Sequence, residues 1–128
     1  MSGMDKPLLV GDIVIVYLDA LCTKESCEDM DFTSRLYDLR EYLCELVEKG
    51  ILVIGGLKPS LATSCFGLDL ALGGILEWLE QEGVLRYDKE HNKYFLNCAR
   101  FRARFRDFAE YLAKKYPYLK QLVEPLVR

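Results

Sequence analysis

The residues best equipped for chemistry in this chain are five cysteines and a single histidine. The cysteines are Cys22, Cys27, Cys44, Cys65 and Cys98. None stands at C-x-x-C spacing, and one histidine cannot complete a tetrahedral zinc site with them. Cys44 and Cys65 fall on helix faces and read as small buried hydrophobes. Cys22 and Cys27 flank the polar run Thr23-Lys24-Glu25-Ser26. A disulfide between those two would close the loop and would suit an oxidising compartment or the cytosol of a hyperthermophile. The histidine, His91, has no serine or carboxylate partner at motif spacing and reads as an exposed turn residue. No nucleophile elbow, paired metal-ligand motif or dinucleotide fingerprint occurs, and Gly55-Gly56-Leu57-Lys58 lacks the glycine spacing and the Lys-Ser/Thr ending of a phosphate loop. The expectation is a protein that is not an enzyme and takes no cofactor or metal.

What remains is cations. Arg86, Lys89 and Lys93 cluster with His91 and Asn92, and Lys58 precedes Pro59. Further on, Arg100 with Arg104, and Arg102 with Arg106, stack four apart beside the stripe Phe101, Phe105, Phe108 and Leu112. Such groups bind phosphate when they converge on one face. Otherwise they are solvated turn residues, or snorkelling arginines over a core-facing aromatic stripe.

The elements that position these groups follow from punctuation and period. Residues 13–22 are apolar almost throughout. Asp12 is a good N-cap, so a buried helix is favoured over a strand pairing with Ile51 to Ile54. Thr33 or Asp31 caps a helix running to about Lys49, with Leu36, Leu39, Tyr42, Leu43, Leu46 and Val47 on one face. Gly50 ends it, and Ile51 to Ile54 reads as a short strand. Lys58-Pro59-Ser60 is a helix start, with Leu61 to Cys65 as a short helix broken at Phe66-Gly67. Leu68 to about Glu82 is a second helix, capped by Gly83. Val84 to Tyr87 and Tyr94 to Leu96 are β-prone and flank the polar turn 88–93. Residues 99–116 form a helix that Pro117 breaks. Tyr118 to Val127 form a last one, interrupted by Pro125.

Helix, glycine turn, helix and hairpin is the order of a winged helix-turn-helix. Ser60-Leu61-Ala62 with Phe66-Gly67-Leu68 resembles that superfamily's first motif helix and turn. Leu76-Glu77-Trp78-Leu79-Glu80-Gln81-Glu82-Gly83-Val84-Leu85-Arg86 resembles its leucine-rich second helix ending in acidic, glycine and aliphatic residues. The resemblance implies a mainly α chain with a small β-hairpin (α+β), read as one domain over residues 1–128. Its core would span about 33–97, with flanking helices at about 13–22 and 99–127. Winged domains with helices added at both ends resemble dimeric regulators of the MarR type. That likeness implies double-stranded DNA as partner, a homodimer built on the flanking helices, and Lys58, Arg86, Lys89, His91, Lys93, Arg100 and Arg104 as DNA contacts.

Composition pulls the other way. The net charge is −3, whereas a dedicated nucleic-acid binder is usually basic. The second motif helix offers carboxylates, Asp69, Glu77 and Glu80, and paired glycines rather than the Arg, Lys, Asn and Gln that read bases. The glycines, Gly73 and Gly74, would serve tight helix packing inside the domain. The competing expectation is therefore a protein-interaction module, with Leu70 and Trp78 at its face. No apolar run approaches a membrane span and no signal peptide is evident, so an intracellular, cytoplasmic protein is expected.

Overall fold

The computed structural model describes residues 9–24 and 29–127. The elements run α1 (Val10–Lys24), β1 (Met30–Asp31), α2 (Thr33–Glu48), α3 (Pro59–Ala62), α4 (Cys65–Gln81), β2 (Leu85–Asp88), β3 (Lys93–Leu96), α5 (Cys98–Lys115) and α6 (Tyr118–Val127). The fold is mainly helical with a small antiparallel sheet, of the α+β class.

Helix wins over strand at the N-terminal run, and the helix is longer than the expected 13–22. Its residues Ile13 to Leu18 are all buried, and so are Leu21 and Cys22. A helix that is apolar all round must be covered all round. Here α5 and α6 lie along it and α4 touches it. Only Gly11, Asp12, Asp19 and Ala20 are partly exposed between Val10 and Cys22. The apolar surface of this helix, one of the flanking helices expected to build a homodimer, is thus covered within one chain. No helix among the described residues is long and apolar enough to cross a membrane.

The sheet has three strands in the order β1-β3-β2. The hairpin pairs Leu85 with Leu96 and Asp88 with Lys93, and Met30 pairs with Leu96 on the other side of β3. The third strand is not Ile51 to Ile54. Met30–Asp31 holds that edge of β3, and residues 52–54 instead form an irregular segment with Leu52 and Ile54 buried. The Ile54 N–H finds its partner on the Ala62 carbonyl at 2.8 Å.

Two boundaries near α4 differ from expectation. The short helix is Pro59–Ala62, and the chain turns at Thr63-Ser64, not at Phe66-Gly67. Ser64 caps α4, its Oγ accepting from the Gly67 N–H at 3.1 Å. Gly67 lies inside the helix. It is required there by close approach: a Cβ would sit 1.9 Å from the Leu61 carbonyl oxygen. Gly83, by contrast, does end α4 in the left-handed region, at φ 79°. At the far end, α6 runs on to Val127 with Pro125 inside its last turn.

Two disulfides staple the helices. Cys22 of α1 is bonded to Cys98 at the start of α5, and Cys44 of α2 to Cys65 at the start of α4. The Cys22–Cys27 bond that the sequence left open does not form here, since Cys22 is taken by Cys98. Cys27 lies outside the described residues. Cys44 and Cys65 are cross-linked and half-buried, not simply small core residues.

Candidate docking face and the fate of the cations

The outward face of α4 is built by the turn that starts it. Ser64 and Gly67 dock the helix N-terminus onto α3, and Leu68, Leu72 and Leu79 face the core. The opposite side presents Phe66, 64% exposed, and Leu70, 50% exposed. Beyond them along the helix lie Gly73, Gly74 and Glu77, all exposed. A Cβ on Gly73 or Gly74 would meet nothing within 4 Å. The packing role expected for these glycines inside the domain is therefore corrected: they open onto solvent. Trp78 is half committed, lying edge-on to Phe105 of α5 at 5.1 Å between centroids while remaining 39% exposed.

No lysine, arginine or histidine occurs along Cys65–Gln81. Arg40 of α2 reaches α4 and is held there by Asp69 on two prongs at 2.8 and 2.9 Å and by Glu41 of its own helix at 2.7 Å. The Arg40 hydrogen bonds hold the Asp69 carboxyl below its usual range, and the same bonds to Asp69 and Glu41 raise the guanidinium.

The hairpin cations are mostly neutralised. Arg86 pairs with Asp29 at 3.4 Å and lies over the Phe95 ring at 4.5 Å. Lys93 pairs with Asp31 at 3.6 Å. His91 does have a carboxylate partner, contrary to the reading from motif spacing: its Nδ1 lies 2.7 Å from Asp88 Oδ2. The His91 ring holds the Asp88 carboxyl below its usual range, helped by the His91 and Glu90 N–H groups. This is turn chemistry, with Asp88 organising the tip and Asn92 taking the left-handed conformation at φ 52°.

Three of the four arginines of α5 engage the C-terminal ends of other helices. Arg100 donates to the Glu82 carbonyl at 3.1 Å, and Arg104 pairs with the Glu82 carboxylate at 3.3 Å. Both thus sit on the negative end of α4, where a cation is favoured. Arg102 does the same for α1, donating to the Cys22 carbonyl at 3.0 Å. Phe101 and Phe105 are buried, but Phe108 is 41% exposed and leaves the stripe, its core place taken by Ala109.

Of the seven residues expected to contact DNA, Lys58 and Lys89 alone are exposed with no side-chain hydrogen bond or ion pair among the described residues. The other five are each engaged within the chain: Arg86 by Asp29, Lys93 by Asp31, His91 by Asp88, and Arg100 and Arg104 by Glu82. Asp88 and Glu82 stand close to these cations in the sequence and are a readable signal, whereas Asp29 and Asp31 reach Arg86 and Lys93 only through the fold. Comparison with protein-family models, with curated proteins and with solved structures finds no match.

Proposed function

We propose that this chain is a winged helix-turn-helix used as a protein-docking module, with α4 as the contact helix. The order α2, α3, α4 and hairpin, with β1 completing the sheet, supports the winged reading. One observation carries the function: the outward face of α4 exposes Phe66, Leu70 and two unobstructed glycines and contains no cation. Each glycine lowers helix stability by about 1 kcal/mol relative to alanine, with no steric reason inside the chain. Exposed backbone at those positions lets another helix approach closely. The carboxylates Glu77 and Glu80 select a partner whose apolar seam has basic flanks.

DNA binding is the second reading, favoured by the unpaired Lys58 and Lys89 at the start of α3 and the hairpin tip. Fluorescence anisotropy separates the two. The probes are a labelled helical peptide with an alanine–leucine stripe and lysine flanks, its glutamate-flanked counterpart, and a duplex at low salt. The lysine-flanked peptide is expected to bind, and Leu70→Lys or Gly73→Leu to abolish that binding. Duplex binding that weakens with salt and is lost in the Lys58→Ala/Lys89→Ala double variant would overturn the docking reading.

A further inference from the structure

Three helices leave a cavity on the side of the molecule built by α1, α5 and α6. Ala20, Ala109 and Ala113 stand where larger side chains would close the gap, and the cleft so formed has a volume of about 370 Å³. Val16 and Val123 complete an apolar floor. A second opening of about 450 Å³ shares Asp19, Thr23, Ala113 and Lys120 with it and adds Arg106 and Glu110 at the mouth. Volumes of this size are those of small-molecule sites, which are mostly apolar with a few fixed polar groups.

The mouth is unusual in its charges. Asp19, Arg106, Glu110 and Lys120 converge there, yet none has a side-chain hydrogen bond or an ion pair within 4.0 Å among the described residues. Burial pushes the Asp19 carboxyl up, Arg106 and Lys120 draw it down, and Glu110 raises it. All four therefore share one electrostatic environment without contacting each other. With Lys114 also at the mouth and Glu124 on the lining, three negative and three positive groups surround the apolar floor, a balance that matches a ligand carrying both signs on one end and an aliphatic arm on the other.

We propose that this cleft binds a free α-amino acid with a branched aliphatic side chain. Its ammonium would meet Asp19 and its carboxylate Lys120 and Arg106, with the alkyl arm on Val16, Ala20, Ala109 and Val123. A monoanion or a monocation engages only one sign of charge at the mouth and forgoes the attraction of the other.

Isothermal titration of the full chain with leucine, isoleucine and valine tests this, beside 4-methylpentanoate, 3-methylbutylamine and glycine. At least one branched amino acid should bind saturably. It should bind about ten-fold tighter than either singly charged analogue, with glycine weaker still for want of an arm. Asp19→Asn and Lys120→Met should each lower affinity by about ten-fold. Ala113→Leu, which fills the floor, should abolish binding; Asp19→Asn removes a half-buried charge and keeps the test independent of any folding defect in that variant. No saturable binding by any of the amino acids would overturn the proposal. So would equal or tighter binding of a singly charged analogue, or unchanged affinity in Asp19→Asn.

Discussion

Arg40 of α2 grips Asp69 of α4 with a two-pronged ion pair, Nε to Oδ1 at 2.8 Å and Nη2 to Oδ2 at 2.9 Å. One helical turn away, Cys44 and Cys65 join the same two helices covalently. The two links run 44 to 65 and 40 to 69, so α2 and α4 cross antiparallel. The exposed strip of α4 is consequently flanked by α2, with a rigid edge. Asp69 is a tie between helices, not a free carboxylate facing outward.

Asp69→Asn should weaken that tie by less than about 1 kcal/mol, because both partners are substantially exposed. The pH dependence has a defined sign. The carboxyl is held below its ordinary value near 3.8, so its stabilisation is present above that value and is lost as pH falls through the lower, folded one. Urea denaturation of wild type and variant at neutral pH and in strong acid should show a difference that vanishes in acid. A difference that persists there would refute the assignment.

The glycines of α4 should respond in opposite directions. Gly67→Ala forces a Cβ to within 1.9 Å of the Leu61 carbonyl oxygen, so the α3–α4 turn must open. A loss of roughly 3–5 kcal/mol is expected. Gly73→Ala and Gly74→Ala have open space and should each stabilise the chain by about 1 kcal/mol. Thermal melts of the three variants measure this. A neutral Gly67→Ala would mean that the α3–α4 contact is looser than described.

Disulfide removal should scale with loop length. Bonds spanning 76 and 21 residues constrain the unfolded chain by about 4 and about 3 kcal/mol respectively in the loop-entropy model. Cys22→Ser/Cys98→Ser is therefore expected to lower the denaturation midpoint more than Cys44→Ser/Cys65→Ser. Non-reducing proteolysis with mass spectrometry should recover the Cys22 peptide joined to that of Cys98. Recovery of a Cys22–Cys27 link would contradict the assignment.

Asp19→Asn should raise stability at neutral pH while weakening the ligand. The Asp19 carboxyl is pushed up chiefly by burial, so the folded state is favoured below the ordinary carboxyl value and loses that advantage as pH rises through the folded one. Asparagine removes the charged form and its desolvation. Calorimetric melts across pH 3 to 7 should find wild type and variant converging in acid and separating toward neutrality. A variant less stable than wild type at neutral pH would show that Arg106 and Lys120 outweigh burial.

What the sequence by itself determined is local. The 3.6-residue period placed α2, α4 and α5, Gly83 marked a helix end, and alternation around a polar turn placed the hairpin. Each depends on residues within a few positions of one another, where propensity and capping act. The tertiary structure decided everything that joins distant segments. Cys22 finds Cys98 because α1 packs on α5, and no spacing rule selects a partner 76 residues away. Met30–Asp31 takes the sheet edge that Ile51 to Ile54 had the propensity to fill, because pairing goes to the segment the chain path delivers beside β3. The cations follow the same logic. Arg86 and Lys93 look like a phosphate clamp in the sequence, but folding brings Asp29 and Asp31 within 3.4 and 3.6 Å of them. Charge composition is a property of the chain, whereas charge availability depends on which opposite charges folding sets alongside.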